Sequence, residues 1–362
     1  TLLLSDKGKI YFNITSRDRK KMDVCRADIN TGEVEVLIEE RMNTYIETRP
    51  LYLIKNETEM IHWSERDGWA HFYRYDIKGN LLNRITSGPY HSDNIKFYDQ
   101  KSNFLFFTAH GVNKEIDPYY EHTYKVSLNG GIPKSLNMGD FNTMTYPSDN
   151  HKYFVNNFSR VNTTPKSNLV NSDGSVLMNL ETADLSALFE SGYKFPETFK
   201  AKADDGITDL YGVIYKPFDF DENKKYPLLE YVYPGPQTEA VNKNFSVRMD
   251  RLDRMAQLGF IVVTLGNRGG HPDRSKWYHN YGYGNLRDYG LADKKYVAQQ
   301  LANRHDFIDI NRVGIYGHSG GGFMSTAAIL VYPDFFKVAY SQAGNHDNSI
   351  YNSWWSETHH GI

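Results

Sequence analysis

Residues 312–330 read RVGIYGHSGGGFMSTAAIL, an apolar strand pattern that passes through Gly317-His318-Ser319-Gly320-Gly321 into an apolar helical pattern. The centre of this stretch is a G-x-S-x-G motif, which marks a nucleophile elbow when a buried strand precedes it and a helix follows. Such an elbow forces the serine into a strained backbone geometry, and the residues two places to either side must lack side chains that would collide. By average composition the bare pattern arises by chance about one time in ten in a chain of this length. The flanking elements therefore carry the weight. Ser319 is expected at a helix N-terminus, where the free N–H of Gly320 can stabilise a tetrahedral oxyanion. His318 should point away from the nucleophile and is read as structural.

Outward from the elbow, strand and helix patterns alternate. YGVIYK (211–216), PLLEYVY (227–233), FIVVTL (260–265), RVGIYG (312–317) and FKVAYSQAG (336–344) read as strands. Residues 247–259, 285–303 and 321–332 read as helices, the first ended by Gly259. Alternation of this kind predicts a doubly wound, mostly parallel sheet with helices on both faces, the α/β-hydrolase arrangement around such a serine. A Pro-containing connector near residue 184 opens this part, giving an expected domain over 184–362.

The first half follows a different rule. CRADINTGEVEVLI, FYRYDIKGNLLNRIT, YKVSLNGGIPKSL and LVNSDGSVLMNL each place a turn glycine, at Gly32, Gly79, Gly130 and Gly174, between two strand-like runs. Subtracting successive positions gives spacings of 47, 51 and 44, near the roughly 40–50 residues of a four-stranded propeller blade. Residues 1–183 are expected to form three to four blades of a β-propeller whose earlier blades are missing. A β-sandwich would need that spacing to be coincidental.

Composition excludes several classes. The 362 residues carry a net charge of −3 with both signs interspersed, so no face is committed to nucleic acid or anionic lipid. The single cysteine, Cys25, rules out an intramolecular disulfide or a cysteine zinc cluster, and reads as a buried strand residue. No apolar run reaches 18 residues, and TLLLSDKGKIYF is too short and polar for a signal peptide. No metal or organic cofactor is implied.

A second oxyanion donor is sought in Tyr231-Val232-Tyr233-Pro234-Gly235-Pro236, which follows a buried strand. Here YVYPGPQ, then Gly266-Asn267-Arg268-Gly269-Gly270, then YGYGNLRDYGLAD, then YGHSGGG run in the order seen in the dipeptidyl peptidase IV branch of the prolyl oligopeptidase family. WSERDGWAHFYRYDIKGN (63–80) also resembles a late propeller blade of that branch, so the resemblance covers nearly the whole chain. It implies that Tyr233 donates its hydroxyl to the oxyanion beside Gly320. The hydrolase order is Ser, then Asp or Glu, then His, and Asp347, His359 and His360 follow Ser319 in that order. Yet His360 lies only 41 residues past Ser319, with one strand between them. Two further strand and helix units should intervene, so the triad Asp and His are expected beyond Ile362.

The resemblance also implies a small aromatic pocket for the residue before the scissile bond, often proline. Tyr351 and Trp355 fall at aromatic pocket positions, with Asn348 where another aromatic belongs and Gly320 where proline-specific members carry tyrosine. The glutamate pair that holds the substrate amine in this branch lies earlier than residue 1, and Glu39-Glu40 is not that pair. A serine peptidase releasing N-terminal dipeptides from short peptides is expected, homodimeric and exported as in the family. An acylaminoacyl peptidase or esterase on the same fold, and a non-catalytic propeller that recruits partners, are the alternatives.

Overall fold

A computed structural model describes residues 2–362 except Met138, 247–250, 287–288 and the side chain of Arg251. The first half consists of four four-stranded antiparallel sheets in chain order. They comprise β1 (Leu2–Leu4), β2 (Lys9–Thr15), β3 (Lys21–Asp28) and β4 (Val34–Arg41); then β5 (Tyr52–Ile54), β6 (Glu59–Ser64), β7 (His71–Asp76) and β8 (Leu81–Arg84). The third sheet holds β9 (His91–Asp99), β10 (Phe104–His110), β11 (Glu121–Ser127) and β12 (Lys134–Ser135), and the fourth β13 (Asn142–Pro147), β14 (Tyr153–Ser159), β15 (Lys166–Asn171) and β16 (Val176–Thr182). Gly32, Gly79, Gly130 and Gly174 each occupy the turn between the third and fourth strand of one sheet, all with positive φ. At Gly79 a second demand applies, because a Cβ there would stand 2.1 Å from Leu37 O of the preceding sheet. Each sheet packs on the next through one apolar cluster: Val24 and Leu37 meet Met60 and Tyr75, Trp63 and Phe72 meet Leu105 and Phe107, and Phe97 and Phe106 meet Phe154 and Val170.

After the short helix α1 (Ser186–Glu190) the chain builds one six-stranded sheet. Its strands are β17 (Glu197–Lys202), β18 (Asp209–Tyr215), β19 (Tyr226–Tyr231), β20 (Ile261–Leu265), β21 (Ile308–His318) and β22 (Phe336–Gln342), in the order β17-β18-β20-β19-β21-β22. The sheet is mixed. The pairs β20/β19, β19/β21 and β21/β22 are parallel, whereas β17/β18 and β18/β20 are antiparallel, so the expectation of a mostly parallel sheet holds for the four strands around the elbow and fails at the other edge. The helices are α2 (Arg251–Ala256), α3 (Lys276–His279), α4 (Leu291–Arg304), α5 (Gly320–Val331) and α6 (Ser353–His360).

Helix boundaries differ from the expected ones for identifiable reasons. Of the helix expected over 247–259, residues 247–250 lie outside the described residues, and the described part ends in the turn at Gly259, whose φ is +92°. The helix expected from 285 starts at Leu291 because Gly290 caps it in a left-handed conformation, and Arg287 and Asp288 lie outside the described residues. The largest core packs Leu228, Val263 and Ile315 from one face of the sheet against Val297 and Leu301 of α4 and Met324 of α5, while Val213 and Val262 on the other face meet Leu252 and Ala256 of α2.

One core residue breaks the apolar rule. Glu230, on central β19, is fully buried, and among the described residues neither carboxylate oxygen has a hydrogen-bond partner. Lys294, also fully buried, turns its ammonium to the carbonyls of Leu265 and Gly266 instead. Burial pushes the Glu230 carboxyl up to about 8 from an ordinary 4.5, against the pull of Lys294. A carboxyl raised in this way holds its proton more tightly folded than unfolded. Its contribution to stability is therefore greatest below 4.5 and is lost as pH rises towards 8. Glu230→Gln should flatten that loss, roughly 3–4 kcal/mol, in urea unfolding compared at pH 5 and pH 8. An unchanged slope would mean that Lys294 keeps Glu230 ionised throughout.

Candidate active site

The strand β21 delivers the chain into α5 through Ser319, whose backbone sits at φ 56°, ψ −118°. A non-glycine residue there is strained by about 1–3 kcal/mol. Packing over-determines it. Ser319 N–H donates to Gln342 O at 2.8 Å and Ser319 O accepts from Phe323 N–H at 3.0 Å, tying the elbow to β22 and to the first turn of α5. The glycines are required by contact as well as by strain. A Cβ at Gly321 would stand 1.9 Å from Val232 O, and one at Gly317 would stand 2.3 Å from the same oxygen. Gly320 is the first residue of α5, so helical geometry offers its N–H no acceptor.

The same close approach brings the second expected donor to the elbow. Tyr233 Cα lies 3.5 Å from the position of a Cβ on Gly321, which places the 232–233 segment directly against the first turn of α5. This segment is held from behind. Tyr289 Oη donates to Gly235 O at 2.7 Å, and His279 Nε2 donates to Pro236 O. Burial, then Lys276, pushes His279 down to about 3, so it acts as a neutral donor. Beneath the segment, Gly266 and Gly270 leave room for the buried carboxylate of Glu239, which accepts from Tyr278 Oη and, at 3.0 Å, from Tyr119 Oη of the first half. The backbones of Ser319, Gly320 and Tyr233 are thus brought side by side.

The other sequence candidates make no hydrogen bond to Ser319 among the described residues. Among the described residues Ser319 Oγ has no hydrogen-bond partner. Asp347 is exposed and accepts from the backbone and hydroxyl of its neighbour Ser349. His359 packs edge-on against Tyr45 and beside Trp355, and burial pushes it down to about 3. His360 also flanks Trp355. Among the described residues no contact joins either histidine to Ser319. Tyr351 stands edge-on to Trp355 with centroids 5.6 Å apart, and Asn348 Oδ1 accepts from Asn345 at 2.9 Å.

Trp355 also lines a partly open cavity of about 280 Å³ between the two halves. Tyr45, Glu65 and His91 face it from the antiparallel sheets, and Pro236, Gln237 and His279 face it from the segment that follows Tyr233. Sequence reading missed the first-half contributors because each is an isolated polar or aromatic residue in a strand end or loop, with no local pattern to mark it. Helix α6 helps to close this cavity. It docks on the turn after β2, where Arg17 pairs with Glu357 and the Arg19 guanidinium lies 4.6 Å above the Trp354 ring.

A strained serine between a parallel strand and a helix, with a free N–H beside it, defines a serine-hydrolase nucleophile elbow. The two halves of the chain each match a family model of the dipeptidyl peptidase IV and prolyl oligopeptidase type. Residues 3–165 match the dipeptidyl peptidase IV N-terminal region and residues 245–361 match the prolyl oligopeptidase family. Over 152 residues, 42% of this chain and 17% of the relative, it is 40% identical to dipeptidyl peptidase 8 of Homo sapiens. It is 26% identical to dipeptidyl aminopeptidase A of Saccharomyces cerevisiae over 96% of this chain and 40% of that protein. Among solved structures, a putative dipeptidyl aminopeptidase IV from Bacteroides ovatus superposes on all of this chain with a TM-score of 0.87 at 26% identity, and the chain covers 54% of it. Porphyromonas gingivalis dipeptidyl peptidase 4 gives a TM-score of 0.86 at 23% identity, with 51% of that chain covered. The chain therefore spans about half the length of these two structures and less of the two sequence relatives.

Proposed function

We propose that this chain is the part of a serine dipeptidyl peptidase that carries the nucleophile and both oxyanion donors, built as propeller blades over 1–183 and α/β-hydrolase elements over 184–362. The observation that carries the reading is the backbone of Ser319, held at φ 56° with the Tyr233 segment pressed against its helix. Ser319 Oγ attacks the peptide carbonyl while a histidine takes its proton, and the oxyanion that forms is held by Gly320 N–H and the Tyr233 hydroxyl. The amine leaves with that proton, and water then releases the acyl group. The histidine and its acid come from outside these 362 residues, a reading supported by the unpartnered Ser319 Oγ and by the greater length of the relatives. Tyr351, Trp355 and Asn348 belong to the pocket for the substrate side chain, and the substrates are short peptides admitted to the space between the halves. Homodimerisation and export belong to the same reading. No helix among the described residues is long and apolar enough to cross a membrane.

Dipeptidyl anilides with free and with acetylated N-termini test this on the intact peptidase. Cleavage confined to the free amine supports the proposal. Cleavage confined to the acetylated substrates would make the protein an acylaminoacyl peptidase, and failure of both, with no fluorophosphonate adduct, would make it a binding protein. Tyr233→Phe should lower kcat by about 10²–10³-fold with KM little changed, since an oxyanion donor acts only in the transition state. A matching rise in KM would instead place the tyrosine in ground-state binding.

A further inference from the structure

The antiparallel sheets carry a second cluster of reactive groups, apart from the elbow. In the third sheet His110 is paired in register with His91 on one side and Glu121 on the other, so the three stand in a row across β9, β10 and β11. Asp93, from β9, joins them, and ligand atoms of Asp93, His110 and Glu121 all lie within 4.8 Å of one another. The loop after β20 adds Asp273, whose Oδ2 is 3.5 Å from His110 Nε2 and whose Oδ1 is 4.0 Å from His91 Nε2.

Charge and hydrogen bonding in this cluster are not closed by the protein. Three carboxylates converge, with Arg49 3.1 Å from Asp93 and His271 3.2 Å from Asp273 at the margin. His110 Nδ1 faces the carbonyl of Tyr119 at 3.2 Å, and a carbonyl can only accept. The proton of a neutral His110 therefore sits on Nδ1, and the lone pair of Nε2 is turned towards the carboxylates. This is the arrangement by which an outer carbonyl fixes a metal-ligating histidine. His91 is 1% exposed, its Nε2 is 3.9 Å from Asp93, and neither ring nitrogen has a hydrogen-bond partner among the described residues. A buried imidazole with two idle nitrogens is costly unless something else binds there.

We propose that Asp93, His110 and Glu121, with His91 and Asp273 beside them, bind a divalent transition cation of the zinc type that ties the third sheet to the loop carrying Asp273. Mixed imidazole and carboxylate donors suit that class of ion. Tetrahedral bonds of 2.0–2.1 Å put ligand atoms about 3.3 Å apart, so the ligand atoms of Asp93, His110 and Glu121, within 4.8 Å of one another, and Asp273, 3.5 Å from His110, must draw in by side-chain rotation to close on the ion. His91 also borders the 280 Å³ cavity, which supplies a path for entry. The proposal is independent of the peptidase reading.

Metal-stripped protein titrated with Zn2+ by calorimetry should bind one equivalent with micromolar or tighter affinity and gain several degrees in Tm. Co2+ in its place should give visible absorption of a low-symmetry, four- or five-coordinate site. His110→Ala and Asp93→Asn should each weaken binding at least tenfold, and His346→Ala, which removes an exposed histidine, should leave it unchanged. If the cluster variants misfold, the Co2+ spectrum of the unaltered protein decides. Absence of saturable binding, an octahedral Co2+ spectrum, or binding that survives both cluster variants would overturn the proposal and leave a proton-sharing network.

Discussion

Replacing Ser319 with alanine is expected to lower kcat of the intact peptidase by about 10⁵–10⁶-fold and to abolish its fluorophosphonate adduct, while the thermal midpoint stays where it was. The reasoning separates the two roles of this position. The hydroxyl makes no hydrogen bond among the described residues, so its removal breaks no contact that holds the fold. The strain lies in the backbone, at φ 56°, and alanine keeps it. Ser319→Gly should therefore be equally inactive yet more stable by about 1 kcal/mol, because glycine enters that region without penalty. Stability that rises as activity vanishes is the signature of a residue strained for catalysis. If Ser319→Ala retained the adduct, the nucleophile would have to be another residue and the elbow would be only a turn.

The elbow was legible in the sequence because its constraints are local. Gly317 and Gly321 answer contacts with Val232 O, and the strand and helix beside them announce themselves by apolar pattern. The four sheets were legible for a similar reason, since each third-to-fourth strand turn needs a positive-φ residue and uses glycine. Strand direction was not legible: FIVVTL is buried whichever way its neighbour runs, so the antiparallel pairing of β18 with β20 left no mark in the pattern. Helix α6 was missed because its eight residues, SWWSETHH, read equally well as aromatic pocket lining, and what fixes it is docking on Arg17 and Arg19, over 330 residues earlier. The row of His91, His110 and Glu121 depends on register across three strands, which sequence spacing alone does not give.

Register and docking across the two halves also set the second large expectation. Glu65→Ala or Lys276→Ala should each destabilise the protein by about 3–5 kcal/mol, the usual cost of stranding one charge of a buried pair. Glu65, at the end of the second sheet, and Lys276, at the start of α3, meet at 2.6 Å with both side chains over nine-tenths buried. The ammonium also lies 4.3 Å above the Tyr45 ring, and Lys276 N–H donates to Gly68 O, so α3 is pinned to the first half at three points. The double variant Glu65→Leu with Lys276→Met should recover most of the loss, because replacing both charges removes the desolvation penalty along with the attraction. Activity should not recover with it. His279, three residues on, accepts from Tyr45 Oη at Nδ1 (3.3 Å) and donates from Nε2 to Pro236 O, and through Pro236 supports the segment that presents Tyr233. Without the charged pin, α3 keeps its apolar contacts but loses the fixed height of His279 above that segment. The double variant should therefore unfold near the native urea midpoint and still turn over more slowly, with the loss in kcat rather than KM. Equal recovery of stability and kcat would show that Tyr233 is held by its own half alone.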